Sequence, residues 1–185
     1  MIKFYYGVVN SGKSLHLLSS YLTEKRKGEG EVKLIKPGFD TRTEGVYTRF
    51  GNVEMRPDLI VEENNPENRL CWLNILSKGT TFFIDELQFF SPKYVEDILK
   101  NKTVDQVFNI YGLRNDFYGN MWESVALIMN FADEITEIKT HCELCKVKKA
   151  SFNMKISDSL EINDPGFHYI PVCRDCFKIP HQHCE

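Results

Sequence analysis

Short apolar runs alternate with longer helical patterns along the first 140 positions of the chain. Runs rich in aromatic and β-branched residues predict buried strands, and leucines that recur every three or four positions predict amphipathic helices. The predicted strands are residues 2–9, 32–37, 80–86, 106–113 and 134–142. The predicted helices are residues 13–27, 66–79, 91–101 and 119–132. This alternation favours an α/β fold, with a parallel sheet that carries helices on both faces.

Leucine spacing predicts which face of the first two helices packs against the sheet. The leucines expected at the core are Leu15, Leu18, Leu22, Leu70, Leu73 and Leu76. Gly28 follows three basic residues and is the expected end of the first helix. Cys71 is alone in an apolar helical pattern and is expected to be a buried, small apolar side chain.

The pattern changes in two places. Residues 38–65 are rich in polar residues and glycine, with a β-hairpin predicted at residues 46–56, so this segment is interpreted as a functional loop. Further along, short predicted strands, cysteine pairs, prolines and glycines replace the regular alternation. We therefore predict two domains, residues 1–140 and residues 141–185.

Composition and charge narrow the class of protein. The 185 residues are enough for one main domain and a small second one. A net charge of -3 without a basic stripe makes a nucleic-acid polymer an unfavoured partner. No apolar run reaches the roughly 20 residues that span a bilayer, and no signal-peptide layout opens the chain. We expect a cytoplasmic protein without a membrane partner, whose six cysteines favour metal ligation over disulfides.

A phosphate-binding loop is indicated near the start of the chain. The pattern Gly7-x-x-x-x-Gly12-Lys13-Ser14 follows an apolar strand and opens a helix. Such a loop needs glycines that let backbone N–H groups turn toward phosphate, a lysine that reaches the terminal phosphates, and a hydroxyl for Mg²⁺. The sequence therefore predicts a site for a nucleoside triphosphate with Mg²⁺. A plain glycine turn beside a surface lysine is the alternative.

Two acids close the third predicted strand. Asp85 has the position of the acid that holds Mg²⁺, directly or through water, in nucleotide-binding folds. Glu86 is open to two interpretations: it orients water in an ATPase, or it orients or deprotonates an acceptor hydroxyl in a kinase. A solvated carboxylate at a strand end is the plainer alternative.

Two Cys-x-x-Cys pairs separated by 27 residues form a zinc-ribbon pattern. The four thiolates belong to Cys142, Cys145, Cys173 and Cys176. Four thiolates predict a closed tetrahedral zinc site, which braces structure and leaves no position for a reacting water. His181, His183 and Cys184 offer competing ligands, and we interpret them instead as a frayed tail.

The loop between the cysteine pairs, residues 146–172, is anchored at both ends and is predicted to form a lid. Tyr169 lies just before the second pair, where an aromatic ring and backbone groups are able to close over a flat ligand. Packing of Tyr169 beneath the ribbon is the alternative.

Six short segments occur in the order, and at about the spacing, of one known family. They are SGKS at 11–14, KPGFDTR at 36–42, IDELQFF at 84–90, YGLRNDF at 111–117, HCELC at 141–145 and HYIPVCRDC at 168–176. With this set, the chain resembles the zinc-bearing cytosolic thymidine kinases, a family with cellular and viral members, over nearly its whole length. The resemblance implies a phosphate-loop α/β domain followed by a zinc ribbon with a lasso-like lid over thymidine.

The resemblance implies roles for the nucleotide end of the site. Glu86, Lys13 and Arg42 are expected to act in catalysis, with Glu86 beside the 5′-hydroxyl of the nucleoside. The residues expected to bind ATP and Mg²⁺ are Gly7, Asn10, Ser11, Gly12, Lys13, Ser14, Asp85 and Gln88. Asp40 and Arg42 match an Asp-x-Arg element near the transferring phosphate, for which a surface ion pair is the plainer alternative.

The resemblance also implies a nucleoside pocket. The residues expected to bind thymidine are Asp40, Phe89, Phe117, Trp122, Ile162 and Tyr169. Aromatic rings supply stacking area and shape, and Trp122 stands where phenylalanine is usual in the family. Main-chain groups of the lid, at residues 160–169, are expected to recognise the thymine edge and to leave little room for the amino group of cytosine.

Residues and resemblance together predict transfer of the γ-phosphate of ATP to the 5′-hydroxyl of thymidine, with deoxyuridine as a second substrate. One rival is a phosphate-loop ATPase or nucleic-acid motor with a zinc ribbon, which the lack of a basic stripe disfavours. Another is a non-catalytic zinc-ribbon binding module, which the intact Lys13, Ser14, Asp85 and Glu86 disfavour. The resemblance further implies a homotetramer and feedback inhibition by thymidine triphosphate.

Overall fold

The structure is a computed structural model that describes residues 1–38, 45–48, 53–62, 66–156 and 169–178. Its strands are β1 (Ile2–Tyr6), β2 (Val32–Pro37), β3 (Val46–Thr48), β4 (Val53–Met55), β5 (Leu59–Val61), β6 (Thr81–Ile84), β7 (Val107–Gly112), β8 (Glu134–Glu137), β9 (Phe152–Lys155) and β10 (Tyr169–Val172). Its helices are α1 (Lys13–Lys27), α2 (Pro66–Lys78), α3 (Pro92–Asn101) and α4 (Glu123–Phe131), with a short 3-10 turn at Leu87–Phe89.

Six strands form one sheet in the order β5-β2-β6-β7-β1-β8. Every neighbouring pair in this sheet runs parallel, which confirms the predicted α/β fold. The carboxyl ends of parallel strands share one edge of a sheet, which is where such folds bind ligands. The segments that follow β1, β6 and β7 therefore meet at the same edge.

Helices cover both faces of the sheet. On one face, Leu17 and Tyr21 of α1 belong to an apolar cluster that includes Phe83 of β6. On the other face, buried side chains of α2, α3 and α4 join a larger cluster that includes Phe82 and Ile84 of the same strand. Successive residues of a strand point to opposite faces, so β6 contributes to both clusters. Each fully buried side chain of this size contributes about 1.5–3 kcal/mol relative to an exposed one.

The predicted faces of the first two helices are partly wrong. Leu15 is 43% exposed and Leu70 is 69% exposed, whereas the other four predicted leucines are buried or half-buried. In α2 the main core residue is Trp72, which is fully buried with its ring edge-on to Tyr94 at 5.4 Å between ring centres. Cys71 is exposed, which corrects its assignment to the core. Leucine spacing missed this face because a larger aromatic side chain sets the rotation of the helix.

Two local predictions are confirmed. Helix α1 ends at Gly28, whose φ of 70° is the left-handed conformation that glycine adopts easily at a helix end. Strands β3 and β4 pair in antiparallel fashion as the predicted hairpin, while its turn, residues 49–52, lies outside the described residues.

The described residues after 140, namely 141–156 and 169–178, are called the cysteine module below. Strands β9 and β10 form an antiparallel pair of their own in this module. Its apolar cluster has Cys142, Val172 and Cys173 as buried members. The predicted division into domains at residue 140 stays a prediction. Within the described ranges of the whole chain, no helix is both long enough and apolar enough to cross a membrane.

Candidate active site and metal centre

The loop that joins β1 to α1 is tight enough to require glycine. A Cβ atom added at Gly7 would lie 2.5 Å from the carbonyl oxygen of Ile138 and 2.5 Å from Ser11 Oγ, far closer than real contacts allow. Gly12 has a φ of 91° and Asn10 a φ of 57°, so two further positions adopt the left-handed conformation. The backbone therefore curls into a compact turn at the amino end of α1, where orphan N–H groups and the helix dipole favour an anion.

The side chains of this loop supply polar groups for phosphate. Lys13, the first residue of α1, is buried, and its Nζ donates a hydrogen bond to the carbonyl oxygen of Val8 at 2.8 Å. Ser11 Oγ is buried and lacks a hydrogen-bond partner among the residues that the structure describes. A buried hydroxyl of this kind is costly unless a ligand or water completes it. The fit between this turn and a phosphate group is therefore good.

The acid pair, Asp85 and Glu86, directly follows β6. The N–H of Asp85 donates to the carbonyl oxygen of Ile35 at 3.0 Å, which continues the pairing of β6 with β2. By strand alternation Asp85 points to the face of Phe83, the face that α1 covers. Burial raises the pKa of Tyr111 on that face, and the charge of Asp85 adds to the effect. Asp85 is thus a buried carboxylate on the phosphate-loop side of the sheet.

Glu86 adopts a backbone conformation that is uncommon for a residue with a side chain. Its φ of 51° and ψ of 49° are left-handed, and its N–H donates to Asp85 Oδ1 at 3.0 Å. Its carboxylate Oε2 accepts a hydrogen bond from Gln88 Nε2 at 2.5 Å. Gln88, expected among the nucleotide-binding residues, also accepts a hydrogen bond from the N–H of Leu113 at 2.9 Å. The chain therefore reverses sharply after β6 and holds both acids by short-range hydrogen bonds.

The aromatic residues expected around a base form two pairs. Phe89 contacts Trp122 edge-on, with ring centres 6.1 Å apart. Phe117 lies 6.0 Å from Tyr169 between ring centres, so it links the loop after β7 to the cysteine module. Lys155 Nζ lies 4.8 Å from the centre of the Phe117 ring. Tyr169 is thus part of β10 and packs against one of the expected base-binding rings.

Other expected site residues lie outside the described residues. They are Asp40, Arg42 and Ile162. His181, His183 and Cys184, which were interpreted as a frayed tail, also lie outside the described residues. Most of the predicted lid is also outside that range. Their roles stay predictions.

The four cysteines of the two pairs come together as predicted. Their Sγ atoms all lie within 4.8 Å of one another, and Cys145 Sγ lies 3.8 Å from Cys173 Sγ. A tetrahedron with Zn–S bonds of about 2.3 Å has edges of about 3.8 Å. These cysteines therefore fit a structural zinc ion with four thiolate ligands.

The surroundings of the sulfurs favour thiolate at one position in particular. Burial raises the pKa of Cys142, but hydrogen bonds from the backbone N–H groups of Cys145, Cys173 and Leu144 outweigh burial and lower this pKa to about 6. The pKa of Cys176 is raised to about 12, first by its hydrogen bond with Cys173 and then by burial. A bound cation would favour thiolate at all four positions, since metal ligation requires deprotonated sulfur.

A residue that no motif marks joins the cysteine module to the phosphate loop. Asn153 of β9 is buried; its Oδ1 accepts from the N–H of Val9 at 2.8 Å, and its Nδ2 donates to the carbonyl oxygen of Asn115 at 3.0 Å. A small cleft between the two parts is lined by Asn153, Gly7 and Arg114, among others. The signal for Asn153 in the sequence is weak: an amide within a short alternating strand.

Comparison with known proteins matches the whole arrangement. A family model described as thymidine kinase matches residues 1–177. Thymidine kinases of Streptococcus pyogenes serotype M3 and Lactococcus lactis subsp. lactis are 31% and 32% identical, over 95% and 96% of both chains respectively. A thymidine kinase of Streptococcus gordonii is 29% identical over 95% of this chain and 94% of that one.

Among solved structures, one of two Pif1 helicases at forked DNA is similar with a TM-score of 0.36 and 16% identity. This match covers 73% of this chain and 38% of the helicase chain, and a likeness this weak carries no argument about function. The family match, in contrast, spans both the phosphate loop and the four cysteines. The chain belongs to the thymidine kinase family.

Proposed function

We propose that this protein transfers the γ-phosphate of ATP to the 5′-hydroxyl of thymidine to give thymidine monophosphate, with deoxyuridine as a second substrate. The observation that carries this proposal is the thymidine kinase match over residues 1–177, because one family accounts for both the phosphate loop and the cysteine centre. The reaction would take place in the cytoplasm.

The loop Gly7–Ser14 holds the triphosphate in this proposal. The compact turn and the amino end of α1 attract the phosphates, and the Lys13 ammonium neutralises charge that develops on the transferring group. Ser11, with its buried hydroxyl, is a further donor to phosphate. Asn10 and Gly12 give the turn its left-handed backbone.

Magnesium fits the oxygen donors near this loop, since it prefers hydroxyl and carboxylate oxygens. Ser14 and Asp85 are the residues that would hold it. When bound, the ion would neutralise negative charge on the phosphate oxygens, which increases as the bond between the γ-phosphorus and its bridging oxygen breaks. Asp85 supports this role by its position directly after β6, on the face of the sheet that α1 covers.

Glu86 orients the 5′-hydroxyl of the nucleoside and accepts its proton. Because the phosphoryl transition state is loose, positioning of the hydroxyl contributes more than proton removal. The left-handed backbone of Glu86 supports this role, since strained conformations concentrate at functional sites. Asp40 and Arg42 act near the transferring phosphate, with Arg42 stabilising its charge.

Thymine binds among the aromatic rings of Phe89, Trp122, Phe117 and Tyr169, with Ile162 and the main chain of residues 160–169 closing over it. The contact between Phe117 and Tyr169 supports this assignment, because it places a residue of the cysteine module against the loop after β7. Zinc at the four cysteines then braces the lid and takes no part in the transfer. The active form is a homotetramer that thymidine triphosphate inhibits.

The first test is to incubate the purified protein with ATP, Mg²⁺ and a panel of nucleosides, and to identify the monophosphates that form. Thymidine monophosphate is the expected main product. ATP hydrolysis stimulated by nucleic acid, without phosphorylation of any nucleoside, would overturn the proposal.

The second test is Glu86→Gln, which keeps the size of the side chain but removes its charge. We expect turnover to fall by about 10²–10⁴-fold, with ATP binding and zinc content unchanged. Thymidine turnover at the parental rate would show that Glu86 does not have the proposed role.

A further inference from the structure

We infer that Gln88 is a positioning residue that holds the carboxylate of Glu86 in place for phosphoryl transfer. This inference rests on the proposed function of Glu86. Gln88 lies in the 3-10 turn that follows the acid pair and is only 4% exposed. Its side chain bridges the end of β6 and the start of the loop after β7, through Glu86 and Leu113.

The orientation of the Gln88 amide follows from its partners. A backbone N–H group only donates, so the amide atom that faces the N–H of Leu113 at 2.9 Å must be the oxygen, Oε1. Nε2 is then the atom that faces Glu86 Oε2, at 2.5 Å. A donor facing a carboxylate is a favourable, charge-assisted hydrogen bond. The amide group therefore has one consistent orientation.

The Gln88 amide also lies close to the backbone at the end of β7. A Cβ atom added at Gly112 would lie 3.0 Å from Gln88 Oε1 and 3.2 Å from Leu87 Cβ. Glycine at position 112 thus makes room for the amide beside the end of β7. A larger side chain at position 112 would therefore press on the amide.

This arrangement completes the fixation of Glu86. The backbone of Glu86 is held left-handed, with its N–H on the Asp85 carboxylate. A glutamate side chain has three further rotatable bonds, which the backbone leaves free. The Gln88 amide restricts the far end of that side chain before any substrate binds. Such preorganisation is how a group outside the reacting atoms raises a rate.

The same geometry gives Gln88 a role beside the ATP and Mg²⁺ role that the resemblance implies, and that implied role stays a prediction. The amide oxygen is the atom of glutamine that ligates cations, and here it accepts from Leu113. Leu113 begins the loop that leads to Phe117, an expected base-binding ring. Gln88 thus ties the proposed catalytic carboxylate to the segment that carries part of the nucleoside pocket.

The test is Gln88→Met, which keeps side-chain length and removes both hydrogen bonds. We expect kcat to fall by about 10–100-fold, with the KM values for ATP and thymidine within about threefold of the parental values. Gln106→Met is the matched control, because Gln106 is also 4% exposed and bonds backbone groups, at the start of β7 away from the acid pair. The control is expected to lose stability but to keep its kcat.

A second measurement separates positioning from a structural role. In the Glu86→Gln background, Gln88→Met is expected to lower kcat by less than about twofold, since its effect passes through Glu86. Multiplicative losses, or a raised KM for ATP with unchanged kcat, would overturn the inference while leaving the proposed function in place. Parental thymidine turnover by Glu86→Gln alone would instead overturn the proposed role of Glu86, and the inference with it, whereas failure of the parental protein to phosphorylate any nucleoside would overturn the proposed function itself.

Gly112→Ala keeps the inference testable if Gln88→Met fails to fold. The added methyl group presses on Gln88 Oε1, so we expect a smaller fall in kcat, about 3–10-fold, again with little change in either KM. A variant with parental kcat would count against the inference.

Discussion

The six-stranded sheet and the cysteine module are stabilised by different means. The sheet has a large apolar cluster on each face. The module has a cluster with only Cys142, Val172 and Cys173 as buried members, two of which are thiols. A unit with so little apolar burial does not offset its loss of chain entropy without a metal or a similar cross-link. The comparison indicates that apolar burial stabilises the sheet, whereas the described part of the module is expected to depend on metal ligation by its cysteines.

The two regions also contribute differently to the site. The sheet places the phosphate loop and the acid pair by topology, since the segments that follow parallel strands share one edge. Among the described residues, the module reaches that edge through Asn153 on the phosphate loop and through Tyr169 and Lys155 at the Phe117 ring. Loss of the module is therefore expected to alter nucleoside binding more than the fold of the sheet.

The largest effect is expected from removal of a zinc ligand. Cys173→Ser replaces a buried thiolate by a weaker ligand, so we expect zinc content to fall at least tenfold in the presence of a chelator. The module should then become sensitive to limited proteolysis, and the KM for thymidine should rise more than that for ATP. Metal analysis and circular dichroism check the loss of zinc and the change in the module. A variant that keeps its zinc would contradict the metal dependence of the module.

A cavity in the sheet is expected to act on the whole protein. Phe82 is fully buried and stacks on Phe108 at 4.4 Å between ring centres, so Phe82→Ala should cost about 3–5 kcal/mol of unfolding free energy. Activity and zinc retention should then be lost at the same, lower temperature. Val104→Ala is the control, since Val104 is 99% exposed. Its truncation should change neither the temperature at which activity is lost nor the temperature at which zinc is lost. Thermal unfolding, followed by activity and by zinc retention, measures these temperatures.

The joint between the regions is expected to give an intermediate effect. Asn153→Leu leaves the N–H of Val9 and the carbonyl oxygen of Asn115 without their partner, at about 1–3 kcal/mol of unfolding free energy. We expect faster hydrogen exchange at the Val9 amide and a higher KM for ATP, with zinc content retained. Exchange of the Val9 amide at the parental rate would mean that the hydrogen bonds of Asn153 do not hold the phosphate loop.

The smallest effect is expected at the surface of the module. Lys148 and Asp175 form an exposed ion pair there. Exposed pairs are weak because water screens them and both side chains lose freedom. Lys148→Ala should therefore leave the melting temperature and the zinc content unchanged. A clear drop in either would show that charge pairs, and not only the metal, stabilise the module.

The sequence predicted what depends on local spacing. The glycines and lysine of the phosphate loop lie within eight positions of one another, and strand β6 with its two acids is a single apolar run. The parallel sheet, the helices on both faces and the cysteine cluster followed from such patterns. The face of α2 did not, because the space filled by Trp72 is set by Tyr94 of another helix.

Contacts between distant segments could not be predicted from the sequence. Asn153 and Val9 are 144 positions apart, and no periodicity connects them. Gln88 was found through its motif, but its partner Leu113 directly follows β7, 25 positions later. Such side chains act through partners that only the folded chain brings near, so their roles required the structure.

Gly7 has a consequence for both regions at once. Ile138, the first residue after β8, donates its N–H to Tyr6, and its carbonyl oxygen fills the space that a Cβ at Gly7 would need. Only four residues, 138–141, connect β8 to the first cysteine, so this connection spans at most about 18 Å when fully extended. Gly7 therefore brings the proposed phosphate-binding turn into close contact with the segment, residues 138–141, that leads to the cysteine cluster. A longer segment in place of residues 138–141, or a larger residue in place of Gly7, would push these two parts of the chain apart. We therefore expect the length of this segment and the residue at position 7 to change together among relatives.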